Sequence, residues 1–185
     1  MKALKIFFLA TIVSAIAFGY TRCNTNNYPQ EINKVDSLLV IAEQLHQNML
    51  KIDSADVMEK AKIVNADFKF VQDSLPSELF LKASSFLNQL KRVKKMTGSF
   101  PNEFKMLKKE TQYSIDQLTD LKMDLENGSL DHNNVSKYIQ DESKALAILD
   151  QHINKLIMVL DKFNNQYFEN RTGFYNLYRE NQASR

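Results

Sequence analysis

The stretch SADVMEKAKIVNADFKFVQDSLPSELFLKASSFLNQLKRV, residues 54–93, decides the fold. In it Val57, Ala61, Val64, Phe68, Val71 and Leu75 follow one another at alternating steps of four and three, and Leu79, Ala83, Phe86, Leu90 and Val93 repeat the pattern. That rhythm is the apolar seam of helices packed side by side, whereas a half-buried strand would alternate at every second residue. Asp53 and Ser54 offer an N-terminal cap for the first of these helices. Ser74-Leu75-Pro76-Ser77-Glu78 interrupts the seam, and the period alone allows Pro76 either to make a tight turn or to kink one long helix.

Outward from this stretch the same reading continues. Asn27-Tyr28-Pro29 opens an earlier helix, with Pro29 suited to a first turn. Ile32, Val35, Leu39, Ala42 and Met49 form its stripe, and it should stop near Lys51 to Asp53. Gly98-Ser99-Phe100-Pro101 reads as the clearest break in the chain. A fourth helix is expected beyond it, with Phe104, Leu107, Thr111, Ser114, Leu118, Leu121 and Leu125 in step and a polar middle at Thr111 and Ser114. Asn127-Gly128 is a good stop, because glycine takes the left-handed conformation at little cost. A last long helix is expected from about Val135 to Phe168, ended by Asn170-Arg171-Thr172-Gly173, with one closing turn from Phe174 to Tyr178. Short loops between long amphipathic helices favour antiparallel neighbours. The expected fold is therefore all-α, an antiparallel bundle of four to five helices, with Phe68, Phe86, Leu90, Leu118, Leu149 and Leu156 in its core.

Composition agrees. Four Gly and three Pro in 185 residues are too few for a turn-rich β domain, and hydrophobic residues make up 44 %. The net charge of +2 gives no global field toward nucleic acid, so none is expected as a partner.

The first residues carry an address. Lys2 and Lys5 precede an apolar run from Ile6 to Ala17, the layout of an export signal. Extended to Tyr20 the run reaches about 15 residues, short of the roughly 20 that a membrane span needs, although a signal-anchor stays open. Ala15-Ile16-Ala17 fits ordinary cleavage. The competing reading uses Cys23, the only cysteine, as a lipid-bearing mature N-terminus followed by the polar run Asn24-Thr25-Asn26-Asn27. A lipobox places a small residue before the cysteine, and here Arg22 stands there. Unlipidated, Cys23 would be an odd thiol able to pair between chains. The organisation expected is an export signal over 1–22, a polar tether over 23–28 and a helical domain over 29–180.

Residues 23–39, CNTNNYPQEINKVDSLL, resemble the start of uncharacterised helical lipoproteins or secreted proteins of Gram-negative bacteria. The similar parts are the cysteine, the Asn-rich tether and the helix start. The resemblance implies an envelope location and a helical domain, and it carries no activity and no binding residues.

No catalytic constellation emerges. Glu43-Gln44-Leu45-His46 has the Glu-x-x-His spacing of di-iron bundles, but such sites need a second copy, and Ser129 and Leu149 stand three before His132 and His152. His46 and His152 read as half-buried polar members of the core stripes. No nucleophile elbow, zinc-protease signature or phosphate loop occurs. No cofactor or metal is expected, and the chain is read as non-enzymatic.

Two surfaces stand out. Lys91, Arg92, Lys94, Lys95, Lys105, Lys108 and Lys109 flank the Gly98–Pro101 break; in a hairpin they would gather at one tip, either to solubilise it or to meet an anionic membrane, a glycan or an acidic partner. Phe163, Tyr167, Phe168, Phe174, Tyr175 and Tyr178 crowd the C-terminus, as a cap on the bundle or a docking patch. The functional expectation is an extracytoplasmic interaction or scaffold protein of the envelope, a monomer or weak dimer. The alternative is a bundle with a small-ligand or lipid cavity near Thr111 and Ser114.

Overall fold

The computed structural model describes residues 28–184, so the export signal expected over 1–22 and the lipidation candidate Cys23 lie outside the described residues. Five helices and no strand occur among them: α1 (Pro29–Leu50), α2 (Ser54–Ser74), α3 (Ser84–Glu126), α4 (His132–Lys162) and α5 (Phe168–Ala183). A 3-10 turn, Ser77–Leu79, precedes α3, and a π-turn, Phe163–Tyr167, joins α4 to α5.

The five helices make three rods. α1 and α2 form the first, α3 the second, and α4, the π-turn and α5 the third. Cross-links fix the directions. Asp36 pairs with Lys122 at 2.7 Å, His46 meets Thr111 at 2.9 Å, and Lys94 sits over the Phe68 ring, so the first rod runs opposite to α3. Tyr28 bonds the Leu130 carbonyl, Lys60 bonds Asn164, and Asp67 holds Arg171, so the first and third rods run the same way. The all-α antiparallel bundle expected from the sequence is the observed fold. The 43 residues of α3 set its length at about 65 Å, at 1.5 Å per residue.

The first rod breaks where the sequence places a stop. The Asp53 carboxylate accepts the Asp56 amide at 2.9 Å and restarts the helix as α2. Tyr28, assigned to the tether by composition, belongs to the core instead: it is buried, and its hydroxyl donates across the bundle end to Leu130. Pro76 makes the tight turn. Leu75 and Pro76 are both extended, with ψ of 121° and 139°, and Leu79 beyond them is buried.

The expected break at Gly98–Pro101 is not there. α3 runs straight through it, with Pro101 inside the helix. Pro101 cannot donate a backbone bond, and a proline costs a helix interior about 3 kcal/mol. The seam outweighs this. Phe86, Leu90, Val93, Thr97, Phe100, Leu107, Thr111, Ser114, Leu118 and Leu125 are all buried on one stripe. With Phe104 and Leu121 included, that stripe keeps steps of four and three across both breaker residues. Phe100 stacks on Phe104 at 5.5 Å directly beside Pro101. Gly98 takes no positive φ, the only such glycine among the described residues being Gly128.

At Gly128, φ is 64° and α3 does end. The Ser129 amide reaches back to the Asp124 carbonyl at 2.9 Å and the Gly128 amide to Leu125 at 3.2 Å, a Schellman closure.

The third rod also outruns its expected end. Asn170-Arg171-Thr172-Gly173 is helical, and the closing turn is part of α5. The reason is again phase. Buried residues Leu146, Leu149, Ile153, Leu156, Leu160 and Phe163 alternate three and four, but Phe163, Tyr167 and Arg171 take two fours in succession. That adds one residue to the heptad, and the wider π-turn at Phe163–Tyr167 absorbs it. Phe174 therefore still faces the core.

Of the expected core, Phe86, Leu90, Leu118, Leu149 and Leu156 are buried. Phe68 is only half-buried: it packs against the edge of the core, and Lys94 Nζ lies over its ring, 3.5 Å from the centroid.

Candidate functional site

The densest polar chemistry lies where α2 meets the third rod, at a residue the sequence reading passed over. α2 carries Asp67 on its buried face, three residues after Val64 and four before Val71, and Asp67 is 1 % exposed. Opposite it, Tyr167, Arg171 and Tyr175 recur every four residues on one helix face. Asp67 Oδ2 accepts from the Tyr167 hydroxyl at 2.6 Å and from Arg171 Nε at 2.6 Å. Oδ1 accepts from Arg171 Nη2 at 3.1 Å and from the Tyr175 hydroxyl at 2.7 Å. The Arg171 guanidinium also lies over the Tyr175 ring at 4.8 Å. A buried carboxylate is costly unless it is paired and fully hydrogen-bonded, and this one is both.

Burial first, then the bond to Asp67, pushes the Tyr167 phenol far above its ordinary value, and the same causes push Tyr175 up to about 12. Both phenols are therefore held as donors at neutral pH. Each carboxylate oxygen already accepts two bonds, which makes the cluster a clasp between α2 and α5 rather than a base or a nucleophile. The surrounding rings complete it: Phe86 stacks on Phe174 at 4.3 Å, and Phe70 meets Phe174, Tyr175 and Tyr178. The C-terminal aromatic cluster thus closes the bundle end.

The phenols give the clasp a pH signature. Their folded pKa values lie above the unfolded value of about 10, so their contribution is fully present below pH 10 and is lost as pH rises toward and beyond the folded values. Urea midpoints should fall from about pH 10 upward. A Tyr167→Phe/Tyr175→Phe variant should show a flatter decline, and an equally steep one would contradict the clasp.

The second buried polar contact is between the rods. Thr111 donates its hydroxyl to the Lys108 carbonyl at 2.9 Å, so the 2.9 Å contact with His46 has Nδ1 as the donor. His46 is thereby a half-buried member of the stripe, as its spacing suggests, and His152 is half-buried likewise. Glu43, three residues before His46, is exposed, and no group of three or more metal-binding side chains occurs among the described residues. Thr111→Val should cost about 1–3 kcal/mol by orphaning His46, while Thr111→Val with His46→Leu should recover most of it. Urea denaturation of the double-mutant cycle reads this directly, and additive losses would refute the pairing.

The seven cations do not share a hairpin tip, because there is no hairpin. They lie along α3 instead. Lys91, Lys94 and Lys95 recur as Lys105, Lys108 and Lys109, two heptads later on the same helix face, about 21 Å further along. None of the seven forms an ion pair among the described residues. Lys94 is engaged with Phe68.

Thr111 and Ser114 are buried in the α3 seam. A depression of about 200 Å³ lies elsewhere, between Lys82–Phe86 and Asn170–Leu177, and is partly open to solvent. No helix among the described residues is long and apolar enough to cross a membrane.

Comparison with protein-family models, with curated proteins and with solved structures returned no match.

Proposed function

We propose that the chain is a non-enzymatic protein of the bacterial envelope, exported by its first residues, tethered through Cys23, and acting as an interaction or scaffold rod. One observation carries the reading: α3 separates two unlike ends by about 65 Å. At one end Tyr28 enters the core directly after the polar tether segment. At the other, the turn before α3 leaves Phe80 46 % and Leu81 89 % exposed. The two are adjacent in sequence, and contiguous exposed apolar surface marks interaction sites. The Asp67 clasp sits near this same end and holds α2, which leads into the turn, against α5.

Cell fractionation of wild type and Cys23→Ser tests the location. Membrane association lost in the variant is the expected result. A cytoplasmic chain with Met1 to Cys23 intact by mass spectrometry would refute it. A photo-crosslinking residue at position 81 should trap a discrete envelope component that the same group at position 120 does not. Identical adducts from both positions would remove the distal end from the reading.

A further inference from the structure

We infer that the outer face of α3 is a self-complementary strip on which a second copy of this chain docks in antiparallel fashion. The strip stands on α3 alone and goes beyond the scaffold reading, since it holds wherever the chain resides. In a three-rod bundle each helix turns one face away from both neighbours. On α3 that face is a second seam, stepping three and four from Arg92 to Met123, and every residue on it is exposed. Its composition is graded. Arg92 and Lys95 stand at one end, Met106 and Tyr113 in the middle, and Asp116 and Asp120 toward the other.

The grading extends to the whole helix. From Ser84 to Lys109 the seven cations face one acid, Glu103, whereas from Glu110 to Glu126 five acids face only Lys122. Asp116 and Asp120 form no ion pair among the described residues. On the strip itself the cations are Arg92, Lys95 and Lys109 and the acids are Asp116 and Asp120, so one free face presents opposite charge toward its two ends. Turned end for end about a twofold axis near residue 107, the strip meets its own complement. Antiparallel seams place each position of one kind against its alternate on the partner. That register sets Lys95 against Asp120 of the second copy twice over, and Ser99 against Asp116. Met106, 42 % exposed, lies at the centre beside the stem of Lys109, and Tyr113 lies over Asn102. An anionic bilayer would suit the cationic half alone. It would meet the acidic half of the same face with repulsion, which is why the second copy is the better fit.

Sedimentation velocity on the full chain carrying Cys23→Ser, so that no disulfide contributes, tests the strip. A dimer is expected at low salt, dissociating as salt rises, because exposed charges are screened within about 8 Å at physiological ionic strength. Arg92→Glu/Lys95→Glu alone, and Asp116→Lys/Asp120→Lys alone, should each weaken self-association about tenfold or more. An equimolar mixture of the two variants should dimerise again, since each then meets the opposite sign at both ends. Circular dichroism should stay that of wild type throughout, the sites being exposed. A chain that stays monomeric at low salt overturns the proposal, as does a dimer indifferent to both reversals or a mixture that fails to pair. A monomer that binds phosphatidylglycerol vesicles through Arg92 and Lys95 would also overturn it and give the cationic half to lipid.

Discussion

Asp67→Ala is expected to lower the unfolding free energy by about 3–5 kcal/mol, the range for removing one partner of a buried ion pair. Four donor groups on three side chains lose their acceptor at once. Tyr167 is fully buried, and the Arg171 side chain is 34 % exposed, so the guanidinium can recover part of its solvation while the Tyr167 hydroxyl cannot. The loss should therefore fall nearer the lower bound. Asp67→Asn keeps the size but offers one acceptor oxygen and no charge, and should cost nearly as much. A variant that replaces the whole cluster, Asp67→Leu with Tyr167→Phe, Arg171→Met and Tyr175→Phe, should recover most of the loss, because a buried polar group costs most when it is left half-satisfied. Urea unfolding of the three variants is the measurement. A cost for Asp67→Ala no larger than that of an exposed substitution would show that the clasp does not hold α2 to α5.

Phe100→Ala is expected to cost about 3–5 kcal/mol. Phe100 is 1 % exposed at the centre of the α3 seam and stacks on Phe104. Its burial is what carries the helix across Pro101, so the variant loses both transfer free energy and the support that offsets a proline in a helix interior. Pro101→Ala should act in the opposite sense and raise stability, since the backbone bond to Thr97 becomes available. Were residues 98–101 a turn, Pro101→Ala would be neutral or destabilising and Phe100→Ala mild.

These two sites also show how the fold is and is not written in the chain. The seams of α1 and α2, the cap at Asp53 and the stop at Gly128 are local signals: a periodic stripe bounded by residues whose backbone chemistry ends a helix. Each is legible without a neighbour in view. Gly98–Pro101 and Asn170–Gly173 carry the same breaker chemistry, yet the helix continues through both. What separates them from Gly128 is phase. Val93, Thr97, Phe100 and Phe104 keep the four-three rhythm across the first pair, and the seam resumes at Phe174 after the second. At Gly128 no seam crosses. The tertiary gain of a continuous buried stripe outweighs a local penalty of a few kcal/mol, and that comparison is invisible when breakers are read one at a time.

Asp67 was obscured differently. It sits in the core phase of α2, next to Phe68, whose aromatic ring invites assignment to the buried face. The structure gives that face to Asp67 and leaves Phe68 half-buried under Lys94. A carboxylate in a core register is itself a signal, and the four-residue recurrence of Tyr167, Arg171 and Tyr175 supplies its partners. Their mutual placement depends on the π-turn, which only the two successive steps of four foreshadow. The grouping of the basic residues depends on the connectivity: the same side chains that a hairpin would gather at a tip lie along about 27 Å of a straight helix.

The length of α3 underlies the rod, the separation of its ends and the graded outer face. Spin labels at Asn88 and Asp120, both exposed, in a Cys23→Ser background measure it directly by pulsed dipolar spectroscopy at high salt. A continuous helix sets them about 48 Å apart. A distance near 20 Å, as in two packed arms joined by a turn at Gly98–Pro101, would contradict the three-rod architecture.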